Sequence, residues 1–470
     1  MSIAQIIDFV KPYLLLGAIV AAVLAALFFI GYFFLYKKLM KGIKRLKAHT
    51  VLLFLVSVCY LAVVLCAVLL RIGGYNGNVV LQPFASYVQA WNNWSAADWR
   101  NILLNILLFV PFGFLLPLWG RFFQKLWRTV LCGFLFSLSV ELTQLFTSRG
   151  IFETDDLIGN TLGVAIGFGL CMVFLAIVKK EKLPTKKMIG YLAPLLLTCL
   201  TFSGIFAAYS LQEFGNLPAM YSARTDIKSI ALSSEISFSE EDGSAKIYRS
   251  AVASRQDTKK LAQSLFAASG TTLDDTMTII YDESAYYYGE NRSVILTVTY
   301  MGSTYRYTDF SMYQDDMKPI ADADESAVRD ALRKLNAEPP EACTFSDAGD
   351  GIYTFTADMV TSGDTAMDGT LSCSYYADGT VKDVNNKILA FESYRGYDII
   401  SEAEAYARLA SGEAGPNYLP EDVSALSVED IALDYTLDSK GFYLPMYRFS
   451  CTASAAGESH PIDLWVPAMR

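Results

Sequence analysis

Histidine is almost absent from this chain, which contains only His49 and His460 among its 470 residues. Catalytic sites of the Ser-His-Asp and Cys-His types, and zinc sites built on histidine, each need histidine in a defined role. No Cys-x-x-Cys pair occurs, so a zinc knuckle is not expected either. The sequence therefore predicts neither a histidine-dependent hydrolase nor a zinc protein, and no metal ligands can be assigned.

Cysteine gives no disulfide framework. Five of the eight cysteines lie in apolar runs, and the other three are Cys343, Cys373 and Cys451 in the C-terminal half. Because three thiols cannot all pair with one another, at most one disulfide is expected there, and its partners stay open.

Charged residues make up only 18% of the chain, whereas 53% of the residues are hydrophobic. Residues 1–210 contain 18 Lys and Arg against 7 Asp and Glu, and residues 211–470 contain the remaining 20 and 41. The two parts therefore carry net charges of +11 and −21. Opposite balances of this kind predict two modules in different environments. Nucleic acid is not expected as a partner of the acidic module, because phosphate binding depends on Lys and Arg.

Long uncharged runs predict a membrane domain over residues 1–212. Five of them are each long enough to cross about 30 Å of hydrocarbon as a helix. They are residues 12–36, 48–70, 101–120, 157–178 and 188–212. A sixth run, Thr129 to Phe146, has Glu141 as its single interior charge. We therefore predict a helical membrane bundle of six transmembrane helices.

Basic residues cluster in the connections that follow the first, third and fifth spans. Lys and Arg in short loops prefer the cytoplasmic side of a membrane. The loops 71–100 and 147–156 are therefore expected outside, and residues 213–470 are expected to form an extracellular domain.

The acidic residues 213–470 carry the mixed signals of an α+β domain. Two strands and two helices are predicted at Thr276–Tyr281, Val294–Tyr300, Asp324–Leu335 and Ser401–Leu409. The pair Asp378-Gly379 lies between two alternating runs, which predicts a hairpin. Ser401 and Glu404 have the spacing of a capping box. A domain of about 250 residues holds one large core or two smaller ones, because cores tend to split near that size.

Glycine and proline predict how two of the spans pack. Gly163 and Gly167 of span five form a small-xxx-small pair, which permits close approach of another helix. Pro111 and Gly113 should distort span three and free backbone carbonyls.

Polar residues interrupt spans three, four and five at corresponding depths. The predicted topology places all of them in the outer leaflet or just outside it. The candidates for a ligand-binding site are Asn101, Asn105, Glu141, Gln144, Arg149, Asp155, Asp156 and Asn160. A carboxylate inside hydrocarbon costs about 2.5–3.5 kcal/mol, so Glu141 is expected to face the bundle interior or to pair with a cation.

Two interpretations of these residues stay open. In the structural one, Asp155 or Asp156 caps span five and the amides hydrogen-bond between helices. In the functional one, they line a headgroup-level pocket that holds a polar or anionic ligand through Arg149 and the asparagines. The carboxylates could instead hold a divalent cation, for which oxygen ligands suit Mg²⁺ or Ca²⁺. No other cofactor is predicted.

An ordered series of residues in these spans resembles the VanZ-like family of bacterial membrane proteins over about residues 50–180. The series is Asn78, Pro83-Phe84, Asn101, Asn105, Phe109, Pro111, Gly113, Glu141, Gln144, Arg149, Asp155-Asp156, Asn160, Gly163 and Gly167. The resemblance implies a protein of the bacterial cytoplasmic membrane and cell envelope. Because the founding member of the family is linked to teicoplanin resistance, it also implies a role against glycopeptide antibiotics.

The C-terminal part has a second likeness. The string YDIISEAEAYARLASGE at 397–413 and the segments that follow it are similar to the extracellular regions of the regulatory proteins YycH and YycI. This resemblance implies a regulatory outer domain.

Three functional hypotheses follow. In the leading one, the pocket of a VanZ-like envelope protein binds membrane lipids or a glycopeptide-related ligand. In the second, the chain is a membrane enzyme acting on a lipid-linked cell-wall precursor, with Glu141 as the candidate general acid or base. In the third, the chain is a membrane-anchored sensor whose outer domain binds an extracellular protein partner.

Overall fold

The computed structural model describes residues 17–20, 22–39, 47–69, 79–148, 150–217, 227, 230–313, 317–412, 419, 423–455 and 458–470. The chain divides into two compact units, Met1–Glu213 and Phe214–Arg470. Two residues of the predicted membrane pattern, Asn78 and Arg149, lie outside the described residues.

The first unit is built from apolar helices. They are α1 (Gly17–Phe34), α2 (Ala48–Leu69), the short α3 (Ala85–Asn93), α4 (Ala96–Trp119), α5 (Leu126–Phe146), α6 (Thr154–Val178) and α7 (Thr185–Leu211). A π-helical stretch, Gly31–Leu39, overlaps the last four residues of α1 and continues beyond them. Within the described residues, all of these helices except α3 are long and apolar enough to cross a membrane, which confirms the six predicted apolar helices.

Helices α4 and α6 touch through their backbones. A Cβ atom added at Gly163 would overlap the carbonyl oxygen of Ile106, and one added at Gly167 would overlap that of Val110. The contact is reciprocal, because Gly113 of α4 lies equally close to the backbone of α6. Small residues four positions apart place no bulky side chain between two membrane helices, so the helix backbones come into van der Waals contact. The predicted role of the glycine pair in helix packing is confirmed.

Pro111 does not interrupt α4, which runs unbroken from Ala96 to Trp119. One carbonyl close to this proline is nevertheless bound from outside the helix, because the Tyr60 hydroxyl of α2 donates to the oxygen of Leu108 at 3.0 Å. The carbonyl that Pro111 deprives of its helical N–H partner is that of Leu107, one residue earlier, so this bond joins α2 to α4 and does not replace the one that the proline removes.

Aromatic rings fix the corner between α3 and α4 against the end of α7. The rings of Trp94 and Tyr209 stack with centroids 3.4 Å apart, and the centroids of Trp99 and Phe206 lie 5.5 Å apart. Trp99 is only 5% exposed. Large flat side chains bury much area with few torsions, so this cluster holds α3 in one position beside the bundle.

The second unit contains one sheet of 14 strands in the described residues. They are β3 (Ala231–Ser234), β4 (Gly243–Ser250), β5 (Ile279–Ile280), β6 (Ser284–Tyr288), β7 (Val294–Thr299), β8 (Tyr305–Asp309), β9 (Thr344–Gly349), β10 (Ile352–Ser362), β11 (Thr365–Tyr375), β12 (Val381–Asn386), β13 (Leu389–Ile399), β14 (Val423–Leu437), β15 (Phe442–Ala455) and β16 (Glu458–Pro467). Their order is β3-β14-β15-β4-β13-β11-β12-β8-β7-β6-β5, with β10 and β9 branching from β11, and β16 from β15. Among the described strands of this sheet, β3 and β14 are the one parallel pair.

Three helices cover this sheet, α8 (Arg255–Ala268), α9 (Glu325–Lys334) and α10 (Glu402–Ala410). The buried apolar residues form two main clusters. Helices α8 and α9 contribute Leu265 and Leu332 to one cluster, and α10 contributes Leu409 to the other. The predicted α+β class is confirmed, with strands in the majority.

Local signals in this unit match the structure closely. The Asp378-Gly379 turn joins β11 and β12, and Gly379 has φ 75°, a conformation that glycine adopts without strain. Ser401 caps α10 by accepting a hydrogen bond from the Glu404 backbone N–H. The Glu404 carboxylate accepts a hydrogen bond from Arg408 at 2.7 Å. In a complete capping box this carboxylate would instead accept from the backbone N–H of Ser401.

The α4–α6 contact predicts that Gly163→Ala destabilises the first unit. The added methyl group forces two backbones apart, and overpacking of this kind costs about 1–3 kcal/mol. Gly204→Ala is the matched control, because Gly204 lies in α7 with no atom within 4 Å of an added Cβ. The midpoint of thermal unfolding of the full chain in detergent should fall for Gly163→Ala and hold for Gly204→Ala. Equal midpoints for the two variants would contradict the backbone contact.

Candidate functional site

A cavity of about 120 Å³ lies at the end of the first unit where α4 and α6 both begin. Its lining comes from α3, from the three N-terminal turns of α4, from the two N-terminal turns of α6, and from the residue before α6. The lining residues are Ser86, Tyr87, Gln89, Asp98, Asn101, Ile102, Asn105, Glu153, Asp155, Asp156 and Gly159. Most of them are polar, although they lie beside helices that are otherwise apolar.

Helix α4 presents one polar face to the cavity. Ser95 caps the helix by accepting from the Asp98 backbone N–H. Asp98, Asn101 and Asn105 then follow at intervals of three and four residues, so they lie on the same side of the helix. A carboxylate in the first turn also interacts favourably with the helix dipole.

Asp155 caps α3 from a different helix. The residue before α3, Phe84, has φ 65° and no side chain that can cap. Asp155 accepts from the Phe84 N–H at 2.5 Å and from the Ser86 N–H at 2.8 Å. Because Asp155 is only 5% exposed, these bonds also compensate for the burial of its carboxylate. The prediction that Asp155 caps span five is therefore wrong, because the residue before α6 is Glu153, which makes no side-chain cap, and the helix that Asp155 caps is α3.

Further bonds attach the segment before α3 to the start of α6. Glu153 accepts from the Ser86 hydroxyl at 2.9 Å, and the Thr154 hydroxyl donates to the Leu81 carbonyl at 3.0 Å. Two short strands, β1 (Val79–Val80) and β2 (Phe152–Glu153), pair in parallel at the same place. The segment 79–93 is thus fixed over the first turn of α6.

Asp156 and Tyr87 complete this part of the lining. The Asn105 amide donates to Asp156, which joins the third turn of α4 to the first turn of α6 directly. Burial, together with the charges of Asp155 and Asp156, raises the pKa of Tyr87 to about 12. The Tyr87 hydroxyl therefore keeps its proton and can donate a hydrogen bond at neutral pH.

A second group of polar residues lies away from the cavity lining. Glu141 and Gln144 of α5 are 2% and 8% exposed, and Asn160 of α6 is 4% exposed. The Asn160 amide donates to the Ser137 hydroxyl at 2.8 Å. Buried polar contacts between helices are what the structural interpretation predicts for these residues.

The predicted site residues therefore separate into three groups. Asn101, Asn105, Asp155 and Asp156 line the cavity, whereas Glu141, Gln144 and Asn160 are buried between helices. Arg149 lies outside the described residues. Whether any of them binds a ligand stays a prediction.

Sequence reasoning missed seven lining residues, the polar Ser86, Tyr87, Gln89, Asp98 and Glu153 together with Ile102 and Gly159. Asp98 could have been found, because it precedes Asn101 by three residues and therefore shares its helical face. The three residues of α3 could not, because only tertiary contacts place that helix here. Among the described residues, no group of three or more His, Cys, Asp and Glu side chains could hold a metal ion.

The helices and the cavity define a multi-pass membrane protein with a polar cleft at one end of its helical unit. Residues 51–175 match the family model described as VanZ/LLP1, so the chain carries a VanZ-like domain. This match confirms the predicted resemblance, and the domain contains all the residues that line the cavity.

Two solved structures are similar to parts of the chain. The C-terminal domain of YpeB from Bacillus megaterium is 15% identical, over 45% of this chain and 99% of that chain, with a TM-score of 0.21. An uncharacterized protein from Eubacterium rectale is 9% identical, over 47% of this chain and 83% of its own, with a TM-score of 0.27. No curated protein matches the chain. The likeness of the C-terminal segment to YycH and YycI stays a prediction.

The capping role of Asp155 predicts that Asp155→Ala loosens α3. Loss of a helix cap costs about 1 kcal/mol, and here two N–H groups lose one acceptor. Hydrogen exchange of the Phe84 and Ser86 amides should become faster, whereas exchange in the middle of α6 should not change. Glu181→Ala, at an exposed carboxylate, is the control. Unchanged exchange at both amides in Asp155→Ala would exclude the cross-helix cap.

Proposed function

We propose that the chain is a VanZ-like protein of the bacterial cell envelope that protects against the glycopeptide teicoplanin by binding a ligand in this cavity. The ligand is a lipid headgroup or a glycopeptide-related molecule. In this proposal the cavity opens at the outer surface of the cytoplasmic membrane and the second unit is extracellular, as the distribution of Lys and Arg indicates.

The observation that supports the proposal is the meeting of four predicted residues at one cavity within the VanZ-like domain. Polar groups that serve to join helices hydrogen-bond to side chains of the neighbouring helix. Asn101 behaves differently, because it is exposed, lines the cavity, and its side chain makes no hydrogen bond within the described part of the chain. Concave sites with a few converging polar groups are the usual form of small-molecule sites.

The enzyme alternative receives less support. A general acid or base must come within hydrogen-bond reach of the substrate. Glu141, the candidate for that role, is 2% exposed and is not one of the cavity-lining residues. The sensor alternative concerns the second unit and is independent of the cavity.

The test is teicoplanin susceptibility of a susceptible bacterial host that expresses the full chain. The wild type should raise the minimal inhibitory concentration, and Asn101→Ala should lose most of this protection because it removes a lining amide without breaking an internal bond. Leu107→Ala is the control, because Leu107 lies on the same helix, is 57% exposed and does not line the cavity. Membrane levels of each variant are compared by immunoblot.

Two results would count against the proposal. If the wild type gives no protection at normal membrane levels, the resistance role does not extend to this chain. If Asn101→Ala protects as well as Leu107→Ala, protection does not depend on the cavity.

A further inference from the structure

The charge of the lining restricts what the cavity can bind. Four lining residues are carboxylates, Asp98, Glu153, Asp155 and Asp156, and none of the lining residues that the structure describes is Lys or Arg. A concave site with charges of one sign beside low-dielectric walls concentrates ligands of the opposite sign. The lining therefore favours a cationic group over a phosphate or a carboxylate.

The bonding of the carboxylates favours an organic cation over a metal ion. Calcium needs six to eight oxygen ligands that converge on one point. Asp155 instead directs its two oxygens to the N–H groups of Phe84 and Ser86, and Glu153 accepts from the Ser86 hydroxyl. No metal-holding group of acidic side chains occurs among the described residues. These bonds hold the negative charges at fixed positions around the cavity, where an ammonium group can reach several of them.

The size and the neutral residues of the cavity fit the same class. A cavity needs about 10–15 Å³ of such volume to hold one water molecule, so 120 Å³ accommodates an ammonium group and the atoms attached to it. Asn101 and Gln89 offer carbonyl oxygens that accept from N–H groups. Tyr87 adds an aromatic ring, and cations bind favourably over such rings.

We infer that the cavity binds a ligand through an ammonium group, an inference that rests on the function proposed above. The group can belong to an ethanolamine-type lipid headgroup or to a soluble amine, because the two present the same atoms to the cavity. The carboxylates supply the charge, and the amides and Tyr87 supply hydrogen bonds and orientation.

The experiment measures binding to the purified full chain in a neutral detergent by isothermal titration calorimetry. The probes are ethanolamine, glycerol, inorganic phosphate, and short-chain phosphatidylethanolamine and phosphatidylglycerol. The variants are Asp98→Asn, Glu153→Gln and Asn101→Ala, with Glu181→Gln as the control at an exposed carboxylate outside the cavity. Glutamine and asparagine keep the shape of the side chain and remove only its charge.

An ammonium probe should bind, and its affinity should fall about tenfold or more in Asp98→Asn and Glu153→Gln, because hydrogen bonds to charged groups contribute about 1.5–3 kcal/mol. Glu181→Gln should bind like the wild type. Binding of phosphatidylethanolamine without free ethanolamine would assign the group to a lipid, and equal binding of both would assign it to a soluble amine.

Other outcomes separate the two proposals. If phosphate or phosphatidylglycerol binds, ethanolamine does not, and Arg149→Ala abolishes that binding, the ammonium class is wrong and the cavity remains a site for anions. If no probe binds, or if Asn101→Ala weakens the binding of none of them, both the ammonium inference and the proposed use of the cavity are overturned.

Discussion

The backbone contact between α4 and α6 decides where the polar residues of this membrane unit meet. Gly159, Gly163 and Gly167 recur at every fourth position of α6, so they form one row along the face that touches α4. At Gly163 and Gly167 the two backbones are in direct contact. At Gly159 the contact widens, and the Cβ of Asn105 lies 3.7 Å from where a Cβ of Gly159 would be. Gly159 also lines the cavity. The row of glycines along which α4 and α6 touch therefore ends at the cavity.

The structural and functional interpretations of the carboxylates are compatible. Asp155 caps α3, and Glu153 and Asp156 each accept a hydrogen bond from a side chain of another helix or segment. These bonds position α3 and thereby create one wall of the cavity. Removing such a carboxylate would change both the wall and the charge of the site, so isosteric changes and residues without internal bonds are the informative probes. Asn101 meets the second condition.

Features that depend on local sequence could be predicted, and features that depend on tertiary contacts could not. Apolar length identifies the six apolar helices, five of them free of charge and one with Glu141 inside it. The four-residue glycine spacing identifies the packing face of α6, and Asp378-Gly379 identifies a hairpin. Each of these signals acts within one element or one turn. The cap of α3 depends on contacts that are distant in sequence, because Asp155 is 71 positions from Phe84 and 69 positions from Ser86. Nothing near Phe84 in the sequence indicates it, since Phe84 lacks a capping side chain and has a positive φ. Lining residues of α3 were therefore missed, whereas those of α4 follow from helical periodicity.

Burial separates the predicted polar residues into two layers with different roles. The first layer surrounds the cavity and includes Asn101, which makes no internal side-chain bond among the described residues. The second contains Glu141 and Asn160, both less than 5% exposed, and the Asn160 amide is bound to Ser137 at 2.8 Å. The Asn160–Ser137 bond joins α6 to α5, so this deeper layer stabilises the bundle, and neither Glu141 nor Asn160 lines the cavity. The residues that border the cavity come from α3 and from the N-terminal turns of α4 and α6, whose positions depend on the packing below them.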